Sequence, residues 1–316
     1  MKKFPFFLPF GGCAGRCVYC NQQVITGASN LTPPNEVARI VSVLDEPMEI
    51  CFFGGTFCRF ERETVRAYLE AVKSFAPRGS RIRFSTYPGD LNDRKLLELI
   101  MSYNIACVEL GVPSLDTAVL SGCNRIADPE EILSELAALR DECVPLGVQV
   151  MIGLPGQTIE SSLSDIRKLA SAKGAADWDL RIYPTLVLTG TELCNMMEGG
   201  KYTPLSLMEA CKWGGRLLAA ATGLGFRPIR VGLQESDSLA AQVRGGPYHP
   251  ALGELIAAES LARKLIRVNR RGPWTVPLRH ISKLTGHGGF GAKRMAFYSS
   301  LPENEILNLI DFFPAR

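Results

Sequence analysis

The chain has 316 residues, of which 46% are hydrophobic and 21% are charged, and its formal net charge is +3. This length suits one large domain with an appendage, and the composition excludes a disordered or fibrous chain. No apolar run is long enough to span a membrane, so no membrane partner is expected. The first ten residues weakly resemble a signal peptide, but Pro5 and Pro9 interrupt them, and a cytoplasmic protein is predicted.

Segments typical of strands and helices alternate along most of the chain. The predicted strands are Phe4–Phe10, Met48–Phe53, Arg81–Thr86, Ala106–Val112, Gly147–Leu154, Trp178–Val187 and Phe226–Leu233. The predicted helices are Asn35–Leu44, Arg62–Phe75, Leu91–Tyr103, Pro129–Cys143, Ile159–Ala172 and Leu205–Thr222. Apolar strands that alternate with amphipathic helices indicate a parallel sheet covered by helices. About seven strands favour an α/β fold, a full or partial (β/α) barrel of the TIM type.

The alternation weakens towards the C-terminus. The sequence therefore predicts a core barrel over residues 1–235 and a small, basic, partly helical extension over residues 236–316. No acidic residue lies between Glu259 and Glu303, whereas nine basic residues do, so the rest of the chain has a net charge of −6. Within the extension, Glu303–Phe313 is expected to be a helix.

Short segments that contain glycine, most of them with cysteine or proline, follow several of the predicted strands. They occupy positions 11–20 after the first strand, 54–56 after the second, 86–89 after the third and 154–156 after the fifth. In parallel barrels the active site is built from the loops at the carboxyl ends of the strands. These loops are therefore expected to meet at one site.

The first of these loops carries three cysteines. Residues 11–21 read Gly-Gly-Cys-Ala-Gly-Arg-Cys-Val-Tyr-Cys-Asn, which gives Cys13, Cys17 and Cys20 a C-x3-C-x2-C spacing. Glycines let a loop fold closely around a bulky group, and thiolates are the usual ligands of iron–sulfur clusters, which normally take four. With three cysteines, one iron of a [4Fe–4S] cluster is left open. Such an iron can chelate S-adenosyl-L-methionine (SAM), and the reduced cluster can cleave SAM to a radical that removes hydrogen from a substrate.

A structural zinc site is the weaker interpretation of this loop. Its fourth ligand would be remote, because the histidines of the chain are His249, His280 and His287. The other cysteines lie mostly in apolar surroundings and are expected to be small buried hydrophobic residues. They are Cys51, Cys58, Cys107, Cys123, Cys143, Cys194 and Cys211.

The cysteine loop, with Tyr19 before its last cysteine, resembles the signature of the radical SAM superfamily. Residues 51–57, Cys-Phe-Phe-Gly-Gly-Thr-Phe, resemble the motif of that family whose backbone receives the amino group of SAM. Residues 108–116 and 149–156 resemble oxygen-independent coproporphyrinogen oxidases and the radical SAM part of Elongator protein 3.

Further motifs resemble the Elongator branch in particular. They are Arg-Ile-Tyr-Pro-Thr-Leu-Val at 181–187, Gly-Thr-Glu-Leu at 190–193 and Gly-Pro-Tyr-His-Pro at 246–250. The chain is therefore similar to bacterial Elongator-protein-3-like radical SAM proteins over about residues 4–256. About 60 residues follow, too few for an acetyltransferase domain like that of Elongator protein 3, so its full two-domain reaction is not expected.

The resemblance implies residues that bind SAM. Gly54, Gly55 and Thr56 would hold the methionine end, although a tight strand-to-helix turn also explains the two glycines. The other implied contacts are Ser85 and Gln149, near the ribose or the methionine carboxylate, and Tyr19 and Ile152, near the adenine. Each has a structural alternative, as a hydroxyl bonded to backbone, a polar barrel position or a core residue.

The chain departs from its relatives at three places near the implied cofactor. Pro113 stands where relatives usually have Gln, and Tyr87 stands where they usually have Arg. Their Gly-Arg-Gly-His segment corresponds here to Gly-Cys-Asn-Arg at 122–125. These departures put the contacts around SAM in question and allow a different substrate.

Two features bear on the substrate. Arg181 and Tyr183 share one face of a predicted strand, and with Tyr248 and His249 they lie in motifs of the Elongator branch. Arg181 could meet a carboxylate or phosphate, or it could form an interior ion pair with a residue such as Asp179 or Glu109.

The second feature is the basic extension, whose aromatic residues could stack on the bases of RNA. They are Trp274, Phe290, Phe297 and Tyr298. Three functions stay open: a radical SAM enzyme acting on RNA such as tRNA, one acting on a small metabolite or tetrapyrrole, and a non-catalytic cluster or haem carrier. A radical SAM enzyme would also need an electron donor such as a flavodoxin or ferredoxin.

Overall fold

The computed structural model describes residues 1–233 and 237–314 of the chain. The strands are β1 (Lys3–Leu8), β2 (Glu49–Gly54), β3 (Arg81–Thr86), β4 (Ile105–Gly111), β5 (Leu146–Ile152), β6 (Asp179–Pro184), β7 (Val187–Leu188), β8 (Arg227–Val231), β9 (Val243–Gly245), β10 (Trp274–Pro277) and β11 (Ile310–Phe313). The strands from β1 to β6, followed by β8, form one parallel sheet in chain order. Among the described residues β1 and β8 are the sheet edges and do not pair, so the predicted barrel is a partial one.

Helices connect the strands and cover the sheet. They are α1 (Gln22–Thr26), α2 (Pro34–Val41), α3 (Arg62–Phe75), α4 (Arg94–Met101), α5 (Thr117–Gly122), α6 (Pro129–Asp141), α7 (Ile159–Lys173), α8 (Glu192–Glu198), α9 (Leu207–Gly223), α10 (Asp237–Ala240), α11 (Leu252–Val268), α12 (Ile281–Ser299) and α13 (Glu303–Ile306). Asp93, Asp116 and Asp128 cap α4, α5 and α6 through their side chains. Thr158 and Ser206 begin α7 and α9 with capping boxes.

The main core lies between the sheet and these helices. Phe52 and Phe84, on neighbouring strands, both pack on Phe57, with ring centroids 5.2 and 4.8 Å away. Phe57 belongs to a short 3-10 helix that follows β2. The aromatic contact therefore fixes the start of the β2 loop against the sheet.

Residues 252–313 are called here the C-terminal unit, and its first helix, α11, packs on α9 of the barrel as well as on α12. The strands β10 and β11 pair in parallel, and α11 and α12 pack on each other beside them. Its separate core consists of Ala262, Trp274, Val276, Leu284, Ala292, Met295, Ile306 and Ile310. The division of the chain at residue 235 stays a prediction.

Several predicted boundaries were wrong. The first strand ends at Leu8 because Phe10 has a φ of 56°, which no strand allows. The segment Trp178–Val187 contains two strands, one ending at Pro184 and one starting at Val187. The expected helix Glu303–Phe313 ends at Ile306, and the last four residues form β11. No helix among the described residues has the length and apolar character needed to cross a membrane.

Candidate functional site

The cysteine loop lies directly against the loop that follows β2. The backbone N–H of Thr56 donates to the carbonyl of Gly11 over 2.7 Å. A Cβ on Gly55 would lie 2.0 Å from the Gly11 carbonyl oxygen, and a Cβ on Gly12 would lie 2.3 Å from the Thr56 carbonyl oxygen. Gly54 also has a φ of 112°, which favours glycine. The two loops can therefore meet only because glycines stand at the contact.

The three cysteines of the loop are half-buried and unpaired. Burial raises the pKa of Cys13, and burial together with the neighbouring Cys17 raises the pKa of Cys20 to about 12. The thiols of Cys13 and Cys20 are therefore protonated at neutral pH, and iron binding must release protons from these two. Among the described residues no three His, Cys, Asp or Glu side chains converge as ligands of a single ion.

Arg125 reaches into the loop from the end of α5. Its Nη1 lies 3.7 Å from the sulfur of Cys17, and its Nη2 donates to the carbonyl of Gly111. Its Nε is buried and has no hydrogen-bond partner among the described residues. A buried cation with an unused donor beside a thiol suits a negatively charged group bound there.

Tyr87 lies between two arginines at this site. The guanidinium carbons of Arg59 and Arg125 are 4.3 and 4.1 Å from its ring centroid. Its hydroxyl donates to the carbonyl of Ile126 over 2.8 Å. The residue that replaces the relatives' usual Arg therefore orients two arginines of this chain, one of them beside Cys17.

Asp90 organises the polar groups beneath the contact between the two loops. Its carboxylate accepts hydrogen bonds of 2.7 Å from the hydroxyls of Thr56 and Thr86 and pairs with Arg59 over 2.6 Å. The backbone N–H of Tyr87 donates to it as well. Since the Thr56 hydroxyl is engaged with Asp90, the backbone of residues 54–56 is the part of this segment left to hold a ligand.

The donor set and the backbone fit a [4Fe–4S] cluster and SAM. The three half-buried thiols of one glycine-rich loop are the type of ligand that such a cluster takes. The unused Nε of Arg125 and the backbone of residues 54–56 adjoin them. Cys13, Cys17 and Cys20 would hold the cluster, and the groups beside them would face SAM.

The other predicted SAM contacts lie in varied surroundings. Ser85 is buried and lines a narrow gap beneath Gly11 and Gly55. The side-chain amide of Gln149 donates to Glu109 over 2.7 Å. Ile152 is fully buried, and Tyr19 packs on a small apolar cluster that includes Val18 and Leu154. Their contacts with SAM stay predictions.

Arg181 forms an ion pair inside the partial barrel. Its Nε and Nη2 bind both carboxylate oxygens of Glu109, over 2.6 and 2.8 Å, and Glu109 is 1% exposed. Of the two roles considered for Arg181, the interior ion pair is the one observed. Tyr183 lies beside it, with its hydroxyl 3.4 Å from Nη1.

Tyr248 and His249 lie elsewhere, near the carboxyl ends of two strands of the sheet. They line a cleft of about 210 Å³ together with Pro184 at the end of β6 and Val231 at the end of β8. The Nδ1 of His249 accepts a hydrogen bond from the backbone N–H of Ala251 over 3.0 Å. The four predicted substrate residues are thus split between the barrel interior and this cleft.

Sequence reasoning missed Arg59, Asp90 and Arg125. The only signal was that Arg125 lies in the segment 122–125, which departs from the relatives. Of the seven other cysteines, Cys143 is exposed and the remaining six are buried as expected. Of the aromatic residues in the extension, Trp274 is buried and Phe297 is 65% exposed.

Comparisons with known proteins agree with this geometry. A profile described as the Radical SAM superfamily matches residues 7–169, and one described as the Radical_SAM C-terminal domain matches residues 178–263. A tRNA uridine(34) acetyltransferase of Methanocaldococcus infernus is 26% identical over 53% of this chain and 30% of that protein. The mouse mitochondrial radical S-adenosyl methionine domain-containing protein 1 is 28% identical over 60% of this chain and 44% of that protein. The chain spans less than half the length of these two relatives.

Solved structures share the fold. The archaeal Elp3 of Methanocaldococcus infernus superposes with a TM-score of 0.61 at 21% identity, covering 89% of this chain and 66% of that one. SuiB of Streptococcus suis superposes with a TM-score of 0.53 at 12% identity, covering 76% of this chain and 50% of that one.

Proposed function

Since this chain belongs to the radical SAM superfamily, we propose that it reductively cleaves SAM at a [4Fe–4S] cluster and removes hydrogen from a base of an RNA such as tRNA. When bound, the cluster and SAM supply the electron and the 5′-deoxyadenosyl radical for this reaction. An electron donor such as a flavodoxin or ferredoxin and a cytoplasmic location belong to the same proposal.

One observation carries the cofactor part of the proposal. The cysteine loop is pressed on the loop after β2 by two glycine contacts, beside a buried Arg125 that has an unused donor. In this proposal the three thiolates bind the cluster, and the backbone of residues 54–56 receives the amino group of SAM. Arg125 offsets negative charge at Cys17, and Tyr87 keeps its guanidinium in place.

The RNA part of the proposal has a different support. Relatives named tRNA uridine(34) acetyltransferase match about half of this chain. The chain also carries a basic C-terminal unit.

The proposal is tested by SAM cleavage under anaerobic conditions. The full chain is reconstituted with iron and sulfide, given dithionite and SAM, and assayed for 5′-deoxyadenosine. Cys17→Ala is compared with Cys143→Ser. The control changes an exposed cysteine just before β5, on the side of the sheet where the amino ends of the strands lie.

We expect 5′-deoxyadenosine from the wild type and from Cys143→Ser, and none from Cys17→Ala. A wild type that binds a cluster and forms no 5′-deoxyadenosine, with or without RNA, would support a non-catalytic carrier instead. A wild type that binds no iron would contradict the assignment of the three cysteines.

A further inference from the structure

The loop 286–289 joins two helical segments between the paired strands of the C-terminal unit. Residues 281–299 are helical on both sides of this loop, which reads Gly286-His-Gly-Gly289. The order of elements is therefore β10, helix, G-x-x-G loop, helix, the short helix α13 and β11. A G-x-x-G loop is the element with which KH modules clamp the backbone of single-stranded RNA. We propose that the C-terminal unit is a KH-like module whose loop 286–289 binds the sugar–phosphate backbone of single-stranded nucleic acid.

The backbone of this loop is strained. His287, Gly288 and Gly289 are three consecutive left-handed residues, with φ values of 51°, 67° and 74°. For a residue with a side chain, such as His287, this conformation is unfavourable. Strain of this kind persists where the surrounding structure enforces it, and it concentrates at binding sites.

The glycines of this region have different explanations. A Cβ on Gly291 would lie 2.2 Å from the Lys283 carbonyl oxygen, so the close helix contact requires glycine there. The positive φ of Gly288 and Gly289 explains glycine at those two positions. Gly286 has an ordinary φ of −69°, and a Cβ there would meet nothing within 4 Å. The fold itself therefore does not require glycine at 286, and a ligand that approaches the open side of the loop closely would explain it.

The surroundings of the loop are basic. Burial lowers the pKa of His280, and the nearby charges of Lys283, Arg279 and Lys264 lower it further. These three cations therefore converge near one histidine, just before the loop in the chain. Among the described residues none of the three has an ion pair with an acidic side chain. Unpaired cations in the same unit as an exposed backbone loop favour a phosphate ligand.

A buried carboxylate fixes the geometry of the unit. Glu259 on α11 is fully buried and accepts from Arg263 over 2.7 Å and from Arg294 and Tyr298 on α12. Two of the nine basic residues between Glu259 and Glu303, Arg263 and Arg294, thus pair with a carboxylate inside the unit. Of the other seven, Lys293 pairs with Glu303 over 4.0 Å, and six have no acidic partner among the described residues, so they are available to a partner of opposite charge.

The loop also adjoins the carboxyl edge of the main sheet. The ring centroids of His287 and His249 are 6.5 Å apart at an angle of 83°. His249 lines the cleft at the ends of β6 and β8, on the edge where the cysteine loop follows β1. A strand held by the loop would thus pass the edge at which the radical is proposed to form.

This inference deepens the proposed function and rests on it only for the link to catalysis, because binding by the loop needs no SAM chemistry. The test uses the reconstituted full chain and a fluorescent single-stranded oligoribonucleotide, with binding followed by anisotropy. The variant His287→Asp/Gly288→Asp is compared with His287→Asn/Gly288→Asn. Both pairs tolerate the left-handed conformation and differ in charge alone. Circular dichroism and thermal melting verify that both variants are folded.

We expect the Asp pair to bind about tenfold more weakly than the Asn pair, because two carboxylates would face the phosphates. We also expect the wild type to bind single-stranded RNA more tightly than duplex RNA of equal length. Single-stranded DNA of the same sequence distinguishes two ligands. If the protein binds DNA more weakly than RNA, the loop recognises RNA, and if it binds both equally, the loop recognises the backbone that they share. Either result supports binding by the loop.

Equal binding by the Asp and Asn pairs would overturn the inference, as would equal affinity for duplex and single strand. The same samples are assayed for 5′-deoxyadenosine. If SAM is cleaved and the loop variants bind alike, the KH-like role fails and the radical chemistry stands. If RNA binds as expected and no SAM is cleaved, the proposed function fails and the KH-like role stands.

Discussion

At Gly55 the loop after β2 touches the backbone of the cysteine loop without a side chain between them. The ideal Cβ position lies 2.0 Å from the oxygen and 2.6 Å from the nitrogen of Gly11, both of them backbone atoms that cannot rotate away. Cys13 is two residues further along the same loop. The position of the first cysteine therefore depends on the absence of a methyl group at residue 55.

Gly55→Ala is accordingly expected to displace the cysteine loop and to destabilise the protein by about 1–3 kcal/mol, as overpacking usually does. Iron and sulfide per chain after reconstitution should fall well below the wild-type content. The matched control is Gly15→Ala in the same loop, where a Cβ meets nothing within 4 Å. Equal iron contents in the two variants would contradict the role of the contact.

The sequence predicted the cysteines and glycines of this site because their spacing is local. Asp90 and Arg59 escaped prediction because their contacts join loops that follow different strands. Arg125 lies 108 residues from Cys17, and only the fold brings the two together. A single sequence records such a pair as two separate charges.

A buried ion network links the strands of the partial barrel. Arg83 on β3 binds Glu109 on β4 over 2.7 Å and Asp179 on β6 over 2.9 Å, and it also binds Glu49 on β2. Arg181 on β6 binds Glu109 from the other side. Because the partners are on different strands, the network holds the polar layer of the sheet interior in register.

The network makes stability depend on pH. Burial alone would raise the pKa of Glu109 and of Asp179, but the arginines around each carboxylate overcome burial and hold both pKa values below their usual range. The stabilising effect of such a group is complete above its unfolded pKa, about 4, and is lost as the pH falls through the folded pKa. Burial raises the pKa of Glu135 and of Asp165, which opposes this loss.

Glu109→Gln should lower the free energy of unfolding at pH 7 by about 3 kcal/mol, because it leaves a buried arginine without its charged partner. The variant should also lose less stability between pH 5 and pH 3 than the wild type, since it lacks one carboxyl group whose pKa is lowered by folding. Urea unfolding at these pH values measures both effects. Glu142→Gln, which removes an exposed partner of Arg94, should cost less than about 1 kcal/mol and keep the wild-type pH dependence.

The strands of the main sheet were predictable because their burial on both faces leaves unbroken apolar runs, as in Ile50–Phe53. The sequence does not indicate that Arg83 and Glu109, two polar residues inside the barrel, pair with each other. The strand β11 was taken for the end of a helix, because four residues beside a short helix show no period of their own. Its partner β10 is more than 30 residues away, and pairing over that distance leaves no local pattern.

Across the whole molecule, positive charge is distributed unevenly. Many arginines of the barrel are paired, such as Arg62 with Asp93 and Arg94 with Glu142. In the C-terminal unit, six cations have no acidic partner among the described residues. They are Lys264, Arg267, Arg270, Arg271, Arg279 and Lys283. The net charge of +3 therefore understates the field that a polyanion would meet at this unit.

Lys264→Ser/Arg279→Ser should change how RNA affinity depends on salt, whereas Arg62→Ser/Arg94→Ser should not, although both double variants remove two positive charges. For a single strand, log K falls with log salt by about 0.7 for each phosphate contacted, so the first variant should flatten the slope by up to about 1.4. Anisotropy titrations at several salt concentrations measure the slopes. Lys264 and Arg279 have no acidic partner among the described residues and should release counterions when RNA binds, whereas the paired arginines of the barrel should not. Equal changes in both variants would therefore mean that net charge alone attracts the RNA.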